Sequence, residues 1–375
     1  VQTTGIRKSG ALKLFAVLTG ACASLLSATL PSVANPQLVV DVSSLKVYEQ
    51  REIYQKWYPA SLTKLMTAYT TFRALKSGQL TLETPVIMSK NAAGEPPSKM
   101  FYKPGQAVTL DSALKMMLIK SANDIAVAIG ETVAGSEPAF VNQMNAEAKR
   151  IGMTSSHFVN PNGLPGAGQY TTARDLAVLA ITIKREFPQY APYFAYEGFT
   201  TGKKNYPNFN MLIGRFDGAD GMKTGFICAS GFNQVSSATR NGRAVVSVVL
   251  GADSLGGRAD ESARLLQLGL TSSNAGKPGL GQIAPYGETR DMVADVSKEI
   301  CNPKAAKVRS ENRDEGGRQK LLSPYIHEIN RPLNLVAAGL IPGLEKVDDV
   351  KTKGQMEAGQ GDVANVPVPV PRPVF

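Results

Sequence analysis

Histidine is almost missing from this chain, with His157 and His327 the two in 375 residues. Cysteine is scarce too, at three, and no His/Cys spacing gathers a metal-ligand set. A Ser-His-Asp centre would have to rest on His157, the one histidine inside the densely patterned region. No Gly-x-Ser-x-Gly elbow precedes a helical pattern, and His157 in Ser155-Ser156-His157-Phe158 reads as part of a local turn. Charged residues make up only 19% and hydrophobic residues 43%, which excludes a disordered polyelectrolyte and fits a globular chain with a sizeable core. The length suits one large domain or two smaller ones, and no internal repeat appears. The net charge is +10, yet no basic run is interleaved with aromatics. The balance therefore reads as a solvated surface, suited at most to peripheral association with a membrane or an anionic wall polymer, and not as a nucleic-acid interface.

What is present begins with an export pattern. Arg7, Lys8 and Lys13 form a positive stretch without acids, and an apolar run from Leu14 to Leu26 follows. Ser32, Val33 and Ala34 place small residues where a signal peptidase cuts. The run is too short to span a membrane comfortably. Residues 1–34 are thus expected to be a signal peptide, which places the protein in the periplasm or cell envelope. Cys22 lies one place too far from a large apolar residue for a lipidation site. Removal of the segment leaves Cys228 and Cys301, either a disulfide or two free thiols.

From about Gln37 to Leu270 the chain is densely patterned. Gln37–Val42 and Leu45–Gln50 read as strands around Ser43-Ser44. Ser61–Leu75 has helical spacing in Leu62, Leu65, Met66, Tyr69 and Phe72, and Gly78 is placed to end it. Asp111 is read as the cap of a second helix. Ile125–Val133, Phe140–Ile151 and Ala173–Ile183 read as further helices. Gly231–Ala238 and Arg243–Leu250 read as a hairpin about Asn241-Gly242, and Glu261–Leu268 as a closing helix. Strands, then helices, then a hairpin and a helix predict an α+β domain, with helices packed on an antiparallel sheet, over residues 35–271. Gly, Pro and charge dominate after about Ser272. Residues 272–301 read as a linker or partly ordered extension. Residues 302–375, ending in alternating Val and Pro, read as a largely disordered Pro-rich tail.

The chemistry concentrates in three short motifs. Ser61-Leu62-Thr63-Lys64 opens the first long helix. A serine hydroxyl needs a base before it attacks, and a lysine one turn on shares its face. That lysine must be neutral to act, which burial or a neighbouring cation promotes. Spacing alone is weak: Ser43-Ser44-Leu45-Lys46 falls in a strand turn, and Ser112-Ala113-Leu114-Lys115 looks like ordinary capping. Ser121-Ala122-Asn123 between two helices offers a hydroxyl to relay a proton and an amide for a substrate carbonyl. Ser272-Ser273-Asn274 has the same form. Lys223-Thr224-Gly225 leads into a strand, where a lysine and a hydroxyl can hold a carboxylate and glycine lets an extended substrate approach. Lys8-Ser9-Gly10 and Lys76-Ser77-Gly78 look alike but lie in the leader and at a helix end. The ordered set, each member in a fitting context, is the serine β-lactamase and penicillin-binding pattern.

From about Leu38 to Leu270 the chain resembles the low-molecular-mass penicillin-binding proteins that are D-alanyl-D-alanine carboxypeptidases. The similarity runs through Tyr58-Pro59-Ala60-Ser61-Leu62-Thr63-Lys64-Leu65-Met66-Thr67, Ser121-Ala122-Asn123-Asp124 and Asn160-Pro161-Asn162-Gly163-Leu164. It continues through Tyr170-Thr171-Thr172-Ala173-Arg174-Asp175-Leu176, Asp220-Gly221-Met222-Lys223-Thr224-Gly225 and Ser230-Gly231-Phe232-Asn233. The resemblance implies a β-lactamase/transpeptidase-like fold with a helical subdomain. It implies Ser61 as the acylated nucleophile, Lys64 as general base and Ser121 as proton relay. Asn123 would orient substrate, while Lys223, Thr224 and Arg258 would bind a terminal carboxylate. Backbone N–H groups of Ser61 and Phe226 would form the oxyanion hole. The substrates would be peptidoglycan stem peptides, β-lactams would inhibit, and neither metal nor organic cofactor would be needed. The chain departs from relatives in Phe226-Ile227-Cys228, where they often carry a histidine after the third motif, and at Asn162, where histidine is common. The β-rich second domain and C-terminal amphipathic helix of many relatives are not evident.

A D,D-endopeptidase cutting cross-links uses the same residues and is the nearest alternative. A β-lactamase needs a positioned carboxylate, and Asn160–Thr171 contains neither Asp nor Glu. An idle wall-binding protein would not need the complete set of Ser61, Lys64, Ser121, Asn123 and Lys223.

Overall fold

The computed structural model describes residues 1, 35–304 and 320–343. The expected signal peptide and the ends of the Pro-rich tail fall outside the described residues. In chain order the elements are β1 (Gln37–Asp41), β2 (Val47–Arg51), α1 (Thr63–Lys76), β3 (Pro85–Ile87), α2 (Lys90–Gly94), β4 (Ala107–Thr109) and α3 (Leu110–Ile119). There follow α4 (Asn123–Ala134), α5 (Glu137–Arg150), α6 (Ala173–Glu186), α7 (Pro192–Ala195), β5 (Gly198–Thr200) and β6 (Asn205–Pro207). The remainder are β7 (Ala219–Ile227), β8 (Gly231–Arg240), β9 (Arg243–Ala252), α8 (Leu255–Thr271), α9 (Ser297–Ile300) and β10 (Leu335–Ala337).

The main sheet runs in the order β2-β1-β9-β8-β7, with every pairing antiparallel. Alternation along the strands splits the core in two. Leu38, Val40, Val246, Val248 and Leu250 join the core shared with the helices, while Val39, Val245 and Val249 pack with Ala259, Ala263 and Leu266 of α8. This is the α+β arrangement the patterning predicts. The strand β7 is the edge of the sheet, bonded to β8 alone.

Several local expectations shift. Asp111 does not cap α3: Thr109 does, its hydroxyl accepting from Ser112 N at 3.2 Å, while Asp111 lies in the first turn and pairs with Lys115. The closing helix begins at Leu255, six residues early, because Ser254 caps it across Gly256-Gly257. The similar-looking motifs have structural duties. Ser43 and Ser44 bind Asp41, and Asn274 accepts from Arg243 at 2.7 Å.

The segment after Thr271 packs in part against the domain. Val47 N donates to Pro278 O, Leu280 N donates to Leu45 O, and Leu280 is buried. Residues 320–343, which composition places in a largely disordered tail, also lie against the domain. Here β10 pairs in parallel with β5, Ala338 is buried, Ile341 N donates to Ala107 O, and Arg331 pairs with Glu197. The prolines break any internal period, and the segment meets its backbone needs from neighbouring edges instead. Among the described residues no helix is long and apolar enough to cross a membrane.

Candidate active site

Pro59-Ala60-Ser61-Leu62 turns sharply into α1, with Ala60–Leu62 as one 3-10 turn. Ser61 therefore sits just before the helix, and Lys64 is in its first turn. Lys64 is wholly buried, with Nζ 3.1 Å from Ser61 Oγ, 2.7 Å from Asn123 Oδ1 and 2.6 Å from Asn162 O. Burial lowers its pKa to about 7, against the smaller opposing pull of Glu95 and Asp124. These contacts fix what a neutral amine can do. Asn123 Oδ1 and Asn162 O only accept, so they take both N–H groups. The lone pair is left facing Ser61, whose O–H can then donate to it.

Two neighbouring segments hold this geometry. The Asn160–Leu164 loop presses on the Ala60–Leu62 turn: Gly163 has φ +87°, and a Cβ there would lie 1.8 Å from Ala60 O. Asn162 offers its backbone O to Lys64, while its side chain donates to Glu95 Oε2 at 2.9 Å. Asn160 Oδ1 accepts from Gly163 N, and Pro161 O from Thr67 Oγ1. On the other side Asn123 opens α4, donating from its backbone N to Ser98 O and from Nδ2 to Pro96 O. Its amide is thus largely committed inside the protein. Asp124 accepts from Met100, Phe101 and Ile125 N–H groups and so pins the adjoining loop.

Ser121 lies between α3 and α4 with φ +64°, a conformation costly for a serine. Its buried Oγ has no hydrogen-bond partner among the described residues. A buried hydroxyl left unsatisfied is expensive unless something else arrives to use it.

The third motif lies within β7, not before it. Gly225 abuts the Ala60–Leu62 turn, where a Cβ would be 3.1 Å from both Pro59 O and Ser61 N. Lys223 is buried, its Nζ donating to Thr224 O at 2.9 Å. Burial pushes its pKa well down, and the charges of Lys64 and Arg258 push it further. Arg258, from the first turn of α8, is also buried, reaching Gly225 O at 3.3 Å and holding the Phe232 ring at 5.8 Å. Burial lowers it to about 9, and its Nε has no partner among the described residues. The charges lowering Lys223 are cations, so an anion placed here would offset their repulsion. Thr224 is buried beside it. Phe226 is about two-fifths exposed and packs its ring against Phe232, tilted by 32° with centroids 4.2 Å apart.

The structure thus gathers Ser61, Lys64 and Asn123 through direct contacts, sets Lys223 and Thr224 on the strand that touches the Ala60–Leu62 turn, and brings Arg258 to that strand from α8. It adds Asn162 and Glu95, which lay in no motif with a chemical reading. The signal for Asn162 was only the Asn-Pro-Asn-Gly-Leu segment, and Glu95 had none. His157 is engaged elsewhere, its Nδ1 2.9 Å from Gly168 O. Among the described residues no group of three or more His, Cys, Asp or Glu could hold a metal ion.

A serine beside a buried lysine whose pKa is lowered to about 7, on this scaffold, defines a serine acyl-transfer enzyme of the penicillin-binding type. The comparisons narrow that class. The family model for D-alanyl-D-alanine carboxypeptidases matches residues 27–254. The D-alanyl-D-alanine carboxypeptidase DacC of Escherichia coli is 37% identical over 269 residues, covering 70% of this chain and 67% of its own. Penicillin binding protein 5 from Haemophilus influenzae shares the fold with a TM-score of 0.61 and 34% identity, over 64% of this chain and 71% of that one. Penicillin-Binding Protein D2 from Listeria monocytogenes, in its ampicillin-bound form, gives 0.57 and 27%, over 64% and 98%. This chain belongs to the D-alanyl-D-alanine carboxypeptidase family.

Proposed function

We propose that the protein is a serine-type D,D-carboxypeptidase that removes the terminal D-alanine from peptidoglycan stem pentapeptides. The contact of Lys64 Nζ with Ser61 Oγ at 3.1 Å, with acceptors at its other positions, carries the reading. Lys64 takes the Ser61 proton as Oγ attacks the carbonyl between two D-alanines. The substrate carboxylate is held by Lys223, Thr224 and Arg258, which supplies the anion that the buried cations lack. The N–H groups of Ser61 and Phe226 receive the negative charge that develops on the carbonyl oxygen, where one donor contributes roughly 10²–10³ in rate. The proton then on Lys64 passes through the Ser121 hydroxyl, which has no partner among the described residues, to the leaving amine. D-alanine departs, and water then cleaves the acyl-enzyme.

The same site takes β-lactams, whose strained amide and carboxylate imitate the scissile end of the peptide, in keeping with the ampicillin complex of the Listeria relative. Residues 35–271 form the catalytic unit, with the leader directing it to the cell envelope. Intact-mass analysis after penicillin treatment tests the reading: one adduct on the native protein and none on Ser61→Ala is expected. An adduct that persists in Ser61→Ala would overturn the nucleophile.

A further inference from the structure

The two segments that would supply the oxyanion hole are joined by a third. One is the approach to the nucleophile, Gln55-Lys56-Trp57, four residues before Ser61. The other is the turn after β7, Cys228-Ala229-Ser230, which starts two residues beyond Phe226. Residues 289–301 run from one to the other. Gln55 Nε2 donates to Thr289 O at 3.2 Å and Met292 O at 2.6 Å, and Thr289 Oγ1 returns a bond to Gln55 Oε1 at 3.0 Å. Lys56 N donates to Arg290 O at 2.9 Å, and Ala294 N to Lys56 O at 3.0 Å. The segment then crosses to the other side, where Val296 N donates to Ala229 O at 3.1 Å. Ile300 is buried, and Cys301 is bonded to Cys228. Beneath the span, the wholly buried Trp57 donates from its indole to Ser230 O at 2.9 Å.

The last residues of β7 need such support. It is an edge strand, paired on one side only, and its register ends at Ile227 opposite Gly231. Phe226 is one residue from that end, where a strand pair is weakest. We propose that the Cys228–Cys301 disulfide closes a clasp, residues 289–301, that fixes the spacing between the Ser61 and Phe226 N–H groups. The two cysteines are positioning residues for the acylation step. The inference rests on the assignment of Ser61 as nucleophile. Its chemical basis is that preorganised donors lose much of their value when misplaced, about 10²-fold for 1 Å.

The disulfide is exposed, so dithiothreitol can reach it. The reductant gives up two electrons and two protons to form two thiols and itself closes to a cyclic disulfide. Full-length Cys301→Ser and dithiothreitol-treated native enzyme are compared with untreated enzyme, below the melting temperature of each. The substrates are a pentapeptide ending in D-alanyl-D-alanine and penicillin. Loss of the bond is expected to lower kcat and the penicillin acylation rate by about tenfold with KM nearly constant, since the carboxylate site stays built. Reoxidation should restore the native enzyme, and dithiothreitol should not affect Cys301→Ser. A merely structural bond would lower Tm and leave kcat within twofold, and that result overturns the clasp. A change confined to KM would overturn it too. If Cys301→Ser does not fold, the reduced and reoxidised native enzyme decides alone. Native enzyme that labels with penicillin yet releases no D-alanine would refute the substrate assignment, while the labelling-rate ratio would still decide the clasp.

Discussion

Replacing Lys64 by methionine should change the pH dependence of stability as well as abolish acylation. The side chains are similar in length, but methionine has no charge to desolvate. In the native protein burial holds Lys64 at a pKa of about 7, against 10.5 for an ordinary lysine. Between those values the folded protein carries a neutral amine and the unfolded chain an ammonium, so unfolding takes up about one proton. Stability therefore rises with pH across this window, and the penalty from Lys64 is fully present below about pH 7. Relative to Lys64→Met, the native protein should gain roughly 3 kcal/mol between about pH 7 and about pH 9.5. Lys223, relieved of the Lys64 charge in the variant, shifts the difference in the same direction. The offset between the two proteins is confounded by the acceptors Asn123 Oδ1 and Asn162 O, which methionine leaves unpaired. The slope is not. Denaturant unfolding of both proteins at a series of pH values measures it directly. Parallel curves would mean that Lys64 is protonated in the folded state throughout, and the base assignment would fail with them.

Other consequences follow from the same geometry. Penicillin acylation should rise with pH through about 7 and level off, because the base must be neutral. Glu95→Gln removes a charge that favours the ammonium and should move this limb to lower pH, so an unmoved limb would detach Glu95 from Lys64. Gly163→Ala should cost several kcal/mol or prevent folding, since its Cβ would collide with Ala60 O at 1.8 Å. Wild-type-like melting of that variant would show the loop contact to be wrong. Truncation after Asn302 removes partly or wholly buried Val336, Ala338 and Leu340 from the core. It should cost roughly 2–4 kcal/mol while leaving penicillin labelling intact, and an unchanged Tm would mean that the packed segment contributes nothing.

Ser61 and Lys64 were legible as a pair because they are three residues apart at the start of α1, where sequence spacing is spatial proximity. The decoys were separable for the same reason: Ser43 falls in a turn bound to Asp41, and Ser112 inside a capped helix. Asn162 and Glu95 were not legible as chemistry, because their contacts join residues 98 and 67 apart and no local period reports them. Pairing of Cys228 with Cys301 depended on bringing two Cα atoms 73 residues apart to within 5.5 Å, which composition does not reveal. The packing of residues 320–343 was not legible for a different reason. Proline and glycine describe how a segment fails to make its own helix or sheet. They do not say whether a neighbouring edge, here β5, will accept it.

The most direct test is D-alanine release from a peptidoglycan pentapeptide ending in D-alanyl-D-alanine, with native protein and Ser61→Ala assayed side by side. Release by the native protein and none by the variant is the predicted result. No release by folded native protein, with cleavage of cross-linked dimers instead, would contradict the carboxypeptidase assignment, and equal release by both would contradict the nucleophile.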